Sequence, residues 1–259
     1  MSNTALITGA SGGIGAEFAR IHARQGGDLI LVARSADKLQ ALKDELESAH
    51  KVQVTTIAQD LSQPGAAQDV AAATQDAGLK VDILINNAGF GGHGKFHERD
   101  IRRDLEMIQL NISALTELSH LFLQGMVERG HGQILNVAST AGFLPGPLQA
   151  TYYATKAFVL SFSQAIAEEL KGTGVSVTAL CPGPVATGFV AAGDLDGVAV
   201  FDKAASAASV AEYGYKAMQN QKLVAINDFG LKFVLNCVLP FLPRKMVLAT
   251  SRKSMEKSR

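Results

Sequence analysis

A tyrosine and a lysine four residues apart, Tyr152 and Lys156, form the pair in this sequence best suited to acid–base chemistry. They open a run whose apolar residues recur with helical spacing, and residues four apart on a helix share one face. Because a nearby ammonium favours phenolate over phenol, the pairing predicts a Tyr152 pKa lowered from about 10 toward neutrality. Tyr152 is therefore the candidate general acid or base. Tyr153 lies three residues before Lys156, and we interpret it as a packing residue.

A serine upstream of this pair ends an apolar segment, residues 133–138, that is typical of a buried parallel strand. Parallel strands deliver their last residues to the carboxyl edge of a sheet, where open α/β sheets bind ligands. The hydroxyl of Ser139 could therefore hold a substrate carbonyl oxygen while Tyr152 exchanges its proton.

The beginning of the chain has the pattern of a strand, a glycine-rich turn and a helix. The apolar residues 5–7 precede the turn, residues 9–15, and helical periodicity follows it. Glycines let the backbone approach a pyrophosphate closely, while unpaired N–H groups of the helix N-terminus face the negative charge. The spacing differs from G-x-G-x-x-G, so this turn alone does not identify a dinucleotide site.

Taken together, these separated motifs resemble those of the short-chain dehydrogenase/reductase family over about residues 3–190. The family's first turn is Thr-Gly-x-x-x-Gly-x-Gly, here from Thr8 to Gly15, and its active site combines Tyr-x-x-x-Lys with an upstream serine. The resemblance implies an NAD(P)-dependent oxidoreductase that interconverts carbonyls and alcohols. The catalytic residues it implies are Asn111, Ser139, Tyr152 and Lys156. In the family, the asparagine holds a water of a proton relay and the lysine binds the nicotinamide ribose.

The resemblance also implies which residues bind the cofactor. They are Gly9, Ser11, Gly13, Ile14, Gly15, Arg34, Asp60, Leu61, Asn87, Ala88, Gly89, Tyr152, Lys156, Pro182, Gly183, Val185 and Thr187. Asp60 is expected to bind the adenine amine, although it could instead cap the following helix. Residues 182–187 are expected to hold the nicotinamide carboxamide.

Arg34 ends the second predicted strand, where NAD-binding sites commonly carry an acid for the ribose 2′-hydroxyl. That acid is missing here, and a guanidinium suits a 2′-phosphate. The sequence therefore predicts NADP(H) rather than NAD(H). The alternative is a solvated arginine that opens the next helix.

The order of predicted elements indicates the α/β class, with one doubly wound Rossmann fold, a mostly parallel seven-stranded sheet in the order 3-2-1-4-5-6-7, and a helical C-terminal extension. Residues 101–127 predict one long helix that carries Asn111. We expect residues 1–228 to form the dinucleotide-binding and catalytic domain, with a substrate lid near 188–208. Residues 229–259 are expected to form an amphipathic, basic extension.

Family analogy predicts the residues that flank the substrate: Phe90, Phe143, Leu144, Pro145 and Phe189. No arginine falls in those segments, so the sequence favours an apolar, uncharged carbonyl or alcohol substrate. Two other functions stay open. One is a catalytically silent regulatory protein that binds NADPH, and the other is a membrane-surface reductase of lipid substrates.

Composition narrows the partners further. The 259 residues include 24 Lys and Arg and 24 Asp and Glu, so no overall positive field exists to recruit nucleic acid. The two cysteines lack metal-ligand spacing, so we expect no metal site and a reducing, cytoplasmic compartment. No apolar stretch reaches the roughly 18 residues that a spanning helix needs.

The basic tail and the quaternary structure allow alternatives. Residues 229–259 could pack on their own or a partner subunit, which we favour because Pro240 and Pro243 interrupt them, or lie on a membrane surface. The family resemblance implies a homodimer or homotetramer, with the 101–127 helix and the Tyr152 helix packing against their copies.

Overall fold

Seven strands, all paired in parallel, form the central sheet of the computed structural model, which describes residues 3–257. The sheet strands are β1 (Thr4–Thr8), β2 (Asp28–Ala33), β3 (Val54–Ala58), β4 (Ile83–Asn86), β5 (Gly132–Val137), β6 (Val175–Leu180) and β9 (Val224–Ala225). Their order is β3-β2-β1-β4-β5-β6-β9. This confirms the predicted order, because the two-residue strands β7 (Val185–Ala186) and β8 (Ala205–Ser206) pair only with each other.

Helices cover both faces of the sheet. The larger ones are α1 (Gly13–Arg24), α2 (Ala36–His50), α3 (Ala66–Asp76), α4 (Ile101–Ile108), α5 (Leu115–Arg129), α6 (Ala150–Glu169) and α8 (Ala207–Gln219), with the short α7 (Phe189–Ala192) between α6 and α8. Successive strand residues point to opposite faces, so Ile7 packs in the core beneath α1, α2 and α8, whereas Leu6 packs beneath α3, α5 and α6. Burial on both faces explains why the strands read as continuous apolar runs.

The single long helix predicted over residues 101–127 is interrupted. Helices α4 and α5 are separated by a π-helical segment, Gln109–Ala114, that contains Asn111. A π turn inserts an extra residue into a helix and is frequent at functional sites. The three- and four-residue spacing of apolar side chains continues through it, which is why periodicity alone did not reveal the interruption.

The C-terminal segment is helical but changes its helix type repeatedly. It contains α9 (Phe229–Phe233), the π segment Val234–Val238, the 3-10 turn Leu239–Phe241 and α10 (Arg244–Ser254). One side packs inward, with Leu235, Val247 and Met255 buried, while Phe229 and Phe241 are 86% and 84% exposed. Within residues 3–257, no helix combines the length and apolar character that crossing a bilayer requires.

Candidate active site

A cavity of about 590 Å³ opens at the carboxyl edge of the sheet, beside α6. It brings together all but two of the predicted site residues: Gly9, Ser11, Gly13, Ile14, Arg34, Asp60, Leu61, Asn87, Ala88, Gly89, Ser139, Tyr152, Lys156, Pro182, Gly183, Val185 and Thr187. Gly15 and Asn111 do not line it. Apart from Tyr152 and Lys156, which lie on α6, these residues come from the segments that follow six different strands, so the parallel topology is what gathers them.

The glycine turn after β1 is held tightly against the end of β4. Gly9 has a φ of +65°, which favours glycine, and a Cβ at Gly15 would collide with the Gly9 carbonyl. The Asn87 amide donates from Nδ2 to the carbonyls of Thr8 (2.9 Å) and Gly9 (3.3 Å). Gly15 therefore shapes the turn without forming the cavity wall, and its contact with the cofactor stays a prediction.

Two positively charged side chains lie where β2 leads into α2. Arg34 and Lys38 are both exposed and both line the cavity. Neither forms an ion pair with any other residue in the described part of the chain. Sequence reasoning missed Lys38, although its position one helical turn after Arg34 was a usable signal.

Asp60 stabilises its own loop. Its Oδ1 accepts hydrogen bonds from the backbone N–H of Ser62 (3.0 Å) and from the Ser62 hydroxyl (2.7 Å). It does not cap α3, which begins at Ala66 after Gly65. Asp60 lines the cavity, and its contact with the adenine stays a prediction.

The cavity and its walls suit a dinucleotide. The glycine turn presents the first turn of α1, whose N–H groups attract phosphate, at one side. The cations of Arg34 and Lys38 lie nearby, where a further phosphate could be neutralised. The residues present therefore fit a nicotinamide dinucleotide, NAD(P)H. No cluster of three or more His, Cys, Asp or Glu residues with metal-binding geometry occurs among residues 3–257.

Ser139, Tyr152 and Lys156 meet at the opposite part of the cavity and are all buried. Lys156 Nζ donates to the carbonyl of Val137 at 2.7 Å and lies 5.8 Å from the centre of the Tyr152 ring. Ser139 Oγ accepts from the N–H of Ala141 at 3.1 Å, which fixes the hydroxyl at the end of β5. The arrangement supplies two hydroxyls and one ammonium to a shared space.

The expected lowering of the Tyr152 pKa is wrong in this arrangement. Burial raises the pKa of Tyr152 above its ordinary value, and a hydrogen bond with Ser139 opposes that effect only in part. Burial also lowers the pKa of Lys156 to about 8. The Lys156 ammonium is not among the groups that shift the pKa of Tyr152. Desolvation of the phenol therefore outweighs its proximity to the lysine. Tyr152 is a protonated phenol at neutral pH.

Tyr153 also lies in the cavity wall, beyond the packing role that we expected for it. Its ring meets that of Tyr152 edge to face, with the centres 6.2 Å apart. Burial raises the pKa of Tyr153 as well.

Asn111 acts on the loop after β4. Its Nδ2 donates to the Phe90 carbonyl and the Thr155 hydroxyl, both at 3.1 Å, and its Oδ1 accepts from the Phe90 N–H at 3.2 Å. Both amide hydrogens are therefore used. The side chain ties this loop to α6 one residue from Lys156, and it is not itself exposed in the cavity.

Apolar side chains surround the end of the cavity near Tyr152. Phe90 and Phe189 line it as predicted, but Phe143, Leu144 and Pro145 do not. Phe143, at the end of the 3-10 turn Thr140–Phe143, packs into the core beside α6 instead. Leu144 packs against both that core and the cluster that contains Tyr152. Further wall residues that sequence reasoning missed are Gln149, Val200, Phe201 and Met255. Of these, Met255 is distant in the chain from the catalytic motifs, whereas Gln149 precedes Tyr152 by three residues.

A charged pair also reaches this wall from α4. Arg103 lies 4.8 Å from the centre of the Phe90 ring, and its Nη1 is 2.6 Å from the Glu106 carboxylate. The segments that we expected to flank the substrate contain no arginine, so Arg103 was not anticipated. Its charge is balanced by Glu106.

The C-terminal segment is bonded to the loops at the end of the cavity near Tyr152. His93 Nε2 bonds to the Met255 carbonyl at 2.7 Å, and Lys257 Nζ lies 2.9 Å from Asp194 Oδ1. Val198 also pairs with Lys257 through an antiparallel bridge. Met255 is thereby held in the cavity wall. His97, the other loop histidine, is exposed on the surface and does not line the cavity.

Comparison with known proteins agrees with this geometry. The family model described as short chain dehydrogenase matches residues 3–196. A very-long-chain 3-oxoacyl-CoA reductase of Homo sapiens is 40% identical over 188 residues, which cover 71% of this chain and 59% of the human protein. The chain thus matches less than two thirds of that relative's length.

Solved structures resemble the whole fold. A short-chain dehydrogenase from Sphingobium yanoikuyae in complex with NADPH has a TM-score of 0.83 and 32% identity, covering 93% of this chain and 96% of that one. A bulky-bulky ketone specific alcohol dehydrogenase from Comamonas testosteroni has a TM-score of 0.78 and 29% identity, covering 93% and 95%.

Proposed function

The chain belongs to the short-chain dehydrogenase/reductase family, and we propose that it is an NADPH-dependent oxidoreductase that reduces a carbonyl to an alcohol. One observation carries the proposal: Ser139, Tyr152 and Lys156 converge in the same cavity as the glycine turn after β1. When bound, NADPH supplies the hydride that the carbonyl carbon must receive. The remaining chemistry belongs to the side chains.

Tyr152 donates the proton. Its pKa is raised by burial, so the hydroxyl carries a proton at neutral pH and can act as a general acid toward a carbonyl oxygen. Ser139, fixed by Ala141, positions that oxygen through a second hydrogen bond. The protonated hydroxyl is the form that reduction needs, whereas oxidation of an alcohol would need the phenolate as base.

Lys156 and Asn111 support this chemistry in different ways. Lys156 is anchored by the Val137 carbonyl. Its ammonium, 5.8 Å from the centre of the Tyr152 ring, stabilises the negative charge that develops on the phenol oxygen as the proton leaves. Asn111 is a positioning residue, because its amide fixes the Phe90 loop and Thr155. Met255, Val200 and Phe201 help exclude water from the reacting end.

The cofactor preference and substrate class complete the proposal. Arg34 and Lys38 favour NADPH over NADH, since two cations at the end of β2 suit a 2′-phosphate. The apolar wall and the names of the relatives support a substrate with a bulky apolar chain, such as a 3-oxoacyl thioester.

We also propose a homodimer. Ile101, Leu105 and Ile108 lie along one face of α4 and are 54%, 56% and 37% exposed, and Phe158 on the adjoining α6 is 39% exposed. Such an apolar stripe on two packed helices is characteristic of a surface that a second subunit covers.

A carbonyl screen tests the enzymatic proposal. The purified protein is given NADPH or NADH with 3-oxoacyl thioesters, aromatic ketones and small aliphatic ketones, and cofactor loss is matched to alcohol formed. We expect stoichiometric alcohol with NADPH and weaker turnover with NADH. Tight NADPH binding without reduction of any carbonyl would instead support the regulatory alternative.

A further inference from the structure

The outward side of the C-terminal segment carries the most exposed aromatic rings among residues 3–257. Phe229 and Phe241 are 86% and 84% exposed, and no other large apolar side chain in that range is more than 59% exposed. Single exposed apolar residues are common on protein surfaces, but a group of them marks a surface that contacts a protein or a membrane. The stretch between these two phenylalanines is therefore a candidate contact surface.

Two series of residues with a spacing of four divide this stretch into an inner and an outer side. The inner series packs toward the body, with Leu235 buried and Leu231 and Leu239 partly buried. The outer series is offset from it by two residues and is exposed at every position. Because residues four apart on a helical segment share one face, the outer series forms an apolar ridge. We call it the aromatic ridge, and it consists of Phe229, Phe233, Cys237 and Phe241.

Positive charges flank the aromatic ridge. Lys232 lies within it in sequence, and Arg244 and Lys245 open α10 directly after it, all three exposed. None of the three forms an ion pair with another residue of the described chain. The nearest acid in sequence, Asp228, caps α9 by accepting from the Leu231 N–H at 2.8 Å.

This combination of groups suits the surface of an anionic bilayer. Helical segments that lie in a membrane interface bury Phe and Leu side chains at the boundary of headgroups and acyl chains, while Lys and Arg contact the lipid phosphates. Residues 229–259 contain seven Lys and Arg and one Glu, a net charge of +6, so the whole segment is attracted to negative lipid.

A second copy of the chain suits the aromatic ridge less well. In a two-fold dimer the same surface of each subunit meets itself, so two segments of net charge +6 would face each other. The apolar stripe of α4 differs, because its charges are paired within the subunit, as Arg103 is with Glu106 at 2.6 Å. A second subunit can therefore cover the α4 stripe, whereas the aromatic ridge favours an anionic partner.

The C-terminal segment is attached to the catalytic cavity at both of its ends. Before α9, the Asn227 side-chain oxygen accepts a hydrogen bond at 3.3 Å from the N–H of Gly183, which lines the cavity. After α10, Met255 lines the cavity itself. A membrane bound by the aromatic ridge would therefore hold the protein by a segment that is continuous with the cavity wall.

We propose that the aromatic ridge and the cations beside it bind the surface of an anionic lipid bilayer. The phenyl rings enter the headgroup region, and Lys232, Arg244 and Lys245 contact lipid phosphates. Packing on the body and contact with a membrane, which the sequence poses as alternatives for this segment, use opposite sides of it. The proposal concerns a surface and not the reaction, so its test needs no substrate and is independent of the reductase function.

Co-sedimentation with vesicles measures this binding. The full chain is mixed with vesicles of phosphatidylcholine, made with or without phosphatidylglycerol, at low and at high salt. We expect binding to the vesicles that contain phosphatidylglycerol and loss of most of it at high salt, because salt screens the attraction of the cations to the lipid. Failure to bind at low salt, or equal binding to both kinds of vesicle, would overturn the proposal.

Replacing the two most exposed rings tests the apolar part of the surface. Phe229→Ala with Phe241→Ala should lower the partition constant onto anionic vesicles by about tenfold or more, because the rings no longer bury apolar area in the membrane. Phe96→Ala is the control, since Phe96 is 59% exposed on the loop after β4. Both proteins should bind NADPH as wild type does. A folded double variant that binds vesicles as tightly as wild type would refute the role of the rings.

Replacing two cations tests the electrostatic part. Arg244→Gln with Lys245→Gln should lower the same partition constant by about tenfold and weaken its dependence on salt. Lys216→Gln, at an exposed position on α8, is the control and should leave the constant unchanged. If the control reduces binding as much as the pair does, the overall charge and not this surface attracts the protein, and the proposal fails.

A fluorescent label on Cys237 shows whether the ridge itself enters the membrane. Cys237 is exposed and Cys181, the other cysteine, is buried, so a thiol reagent reaches Cys237 selectively. We expect an environment-sensitive label there to emit more strongly and at shorter wavelength with anionic vesicles. The same label on Phe96→Cys in a Cys237→Ser background should not respond. Unchanged emission from Cys237 on bound protein would mean that another surface binds.

Light scattering without lipid tests the competing occupant of the ridge. We expect wild type and the Phe229→Ala, Phe241→Ala variant to have the same oligomeric state. If the variant is a monomer and wild type is not, a second copy of the chain covers the ridge and the proposal is overturned.

Discussion

Burial of polar side chains is the main feature of this site at the scale of single residues. Tyr152, Lys156 and Ser139 are at most 9% exposed, although hydroxyls and ammonium groups are costly to desolvate. The four-residue spacing was enough to predict that Tyr152 and Lys156 share a helix face. The direction of the Tyr152 pKa was not predictable, because it depends on how deeply the sheet edge and its loops enclose the hydroxyl.

The pKa of Lys156 has a consequence for folding that can be measured without any ligand. It lies at about 8 in the folded protein against 10.5 for an unperturbed lysine, so between these values the unfolded chain holds a proton that the folded chain has lost. Below pH 10.5 the chain must therefore release this proton when it folds, which costs free energy. As the pH rises through this window the unfolded chain loses the proton as well, so that cost disappears and folding becomes more favourable.

We therefore expect the contribution of Lys156 to stability to become more favourable from about pH 8 to pH 10.5. Urea unfolding of wild type and Lys156→Met at pH 7.5 and at higher pH isolates this contribution. The stability advantage of Lys156→Met should shrink as the pH rises. A difference between the two proteins that is independent of pH would contradict the assigned burial.

At the scale of elements, apolar patterning predicted the sheet well. The buried strands read as apolar runs, and the right order followed from the doubly wound pattern. Local patterning could not predict the π segment around Asn111, because it depends on bonds to Phe90 and Thr155, residues distant in sequence. For the same reason, the placement of Met255 in the cavity wall could be seen only in the folded chain.

The two cations at the junction of β2 and α2 should determine whether the protein prefers NADPH or NADH. Replacing both cations, Arg34→Ala with Lys38→Ala, removes the charges available to a 2′-phosphate. We expect KM for NADPH to rise by about tenfold or more, with a much smaller change for NADH. Lys43→Ala is the control, since Lys43 is on α2 but outside the cavity wall. Equal losses for both cofactors would refute the proposed role.

A buried ion pair ties the loop after β4 to α4. Arg99 Nη2 lies 2.7 Å from Asp104 Oδ1, Asp104 is 2% exposed, and Arg99 Nη1 also donates to the His93 carbonyl. Asp104→Asn leaves the guanidinium without its counter-charge, so we expect a loss of about 3 kcal/mol in the free energy of unfolding.

Denaturant titration checks this value. The exposed pair Lys171 and Glu168 serves as the control, and Glu168→Gln should change stability by less than about 1 kcal/mol. If Asp104→Asn costs no more than Glu168→Gln, the buried pair does not hold this loop.

At the scale of the whole molecule, charge is divided unevenly. The last 31 residues contain seven of the 24 Lys and Arg but one of the 24 Asp and Glu, so a body of net charge −6 carries a tail of net charge +6. The equal totals of positive and negative residues in the whole chain do not reveal this division. Leu235, Val247 and Met255 bury one side of the tail against the body, as the packing interpretation of the sequence expects, and Phe229 and Phe241 remain on its surface.

The proposed dimer is tested by placing a charge in its apolar stripe. Leu105→Arg puts a cation on the exposed face of α4, where covering by a second subunit would bury it unpaired. We expect light scattering to report a dimer for wild type and a monomer for the variant at the same concentration. Val127→Arg, also at an exposed apolar position but on α5, shows how far the interface extends. A monomeric wild type would contradict the proposal.

The most direct measurement of the central claim follows hydride and proton transfer in one experiment. Wild type, Tyr152→Phe and the control Tyr153→Phe are given a 3-oxoacyl substrate and NADPH that carries deuterium at the transferable position. Wild type should place deuterium on the carbinol carbon, and Tyr152→Phe should bind NADPH normally but turn over about 10² to 10⁴ times more slowly. Tyr153→Phe should stay close to wild type. Turnover by Tyr152→Phe at the wild-type rate, or an alcohol without deuterium, would contradict the account.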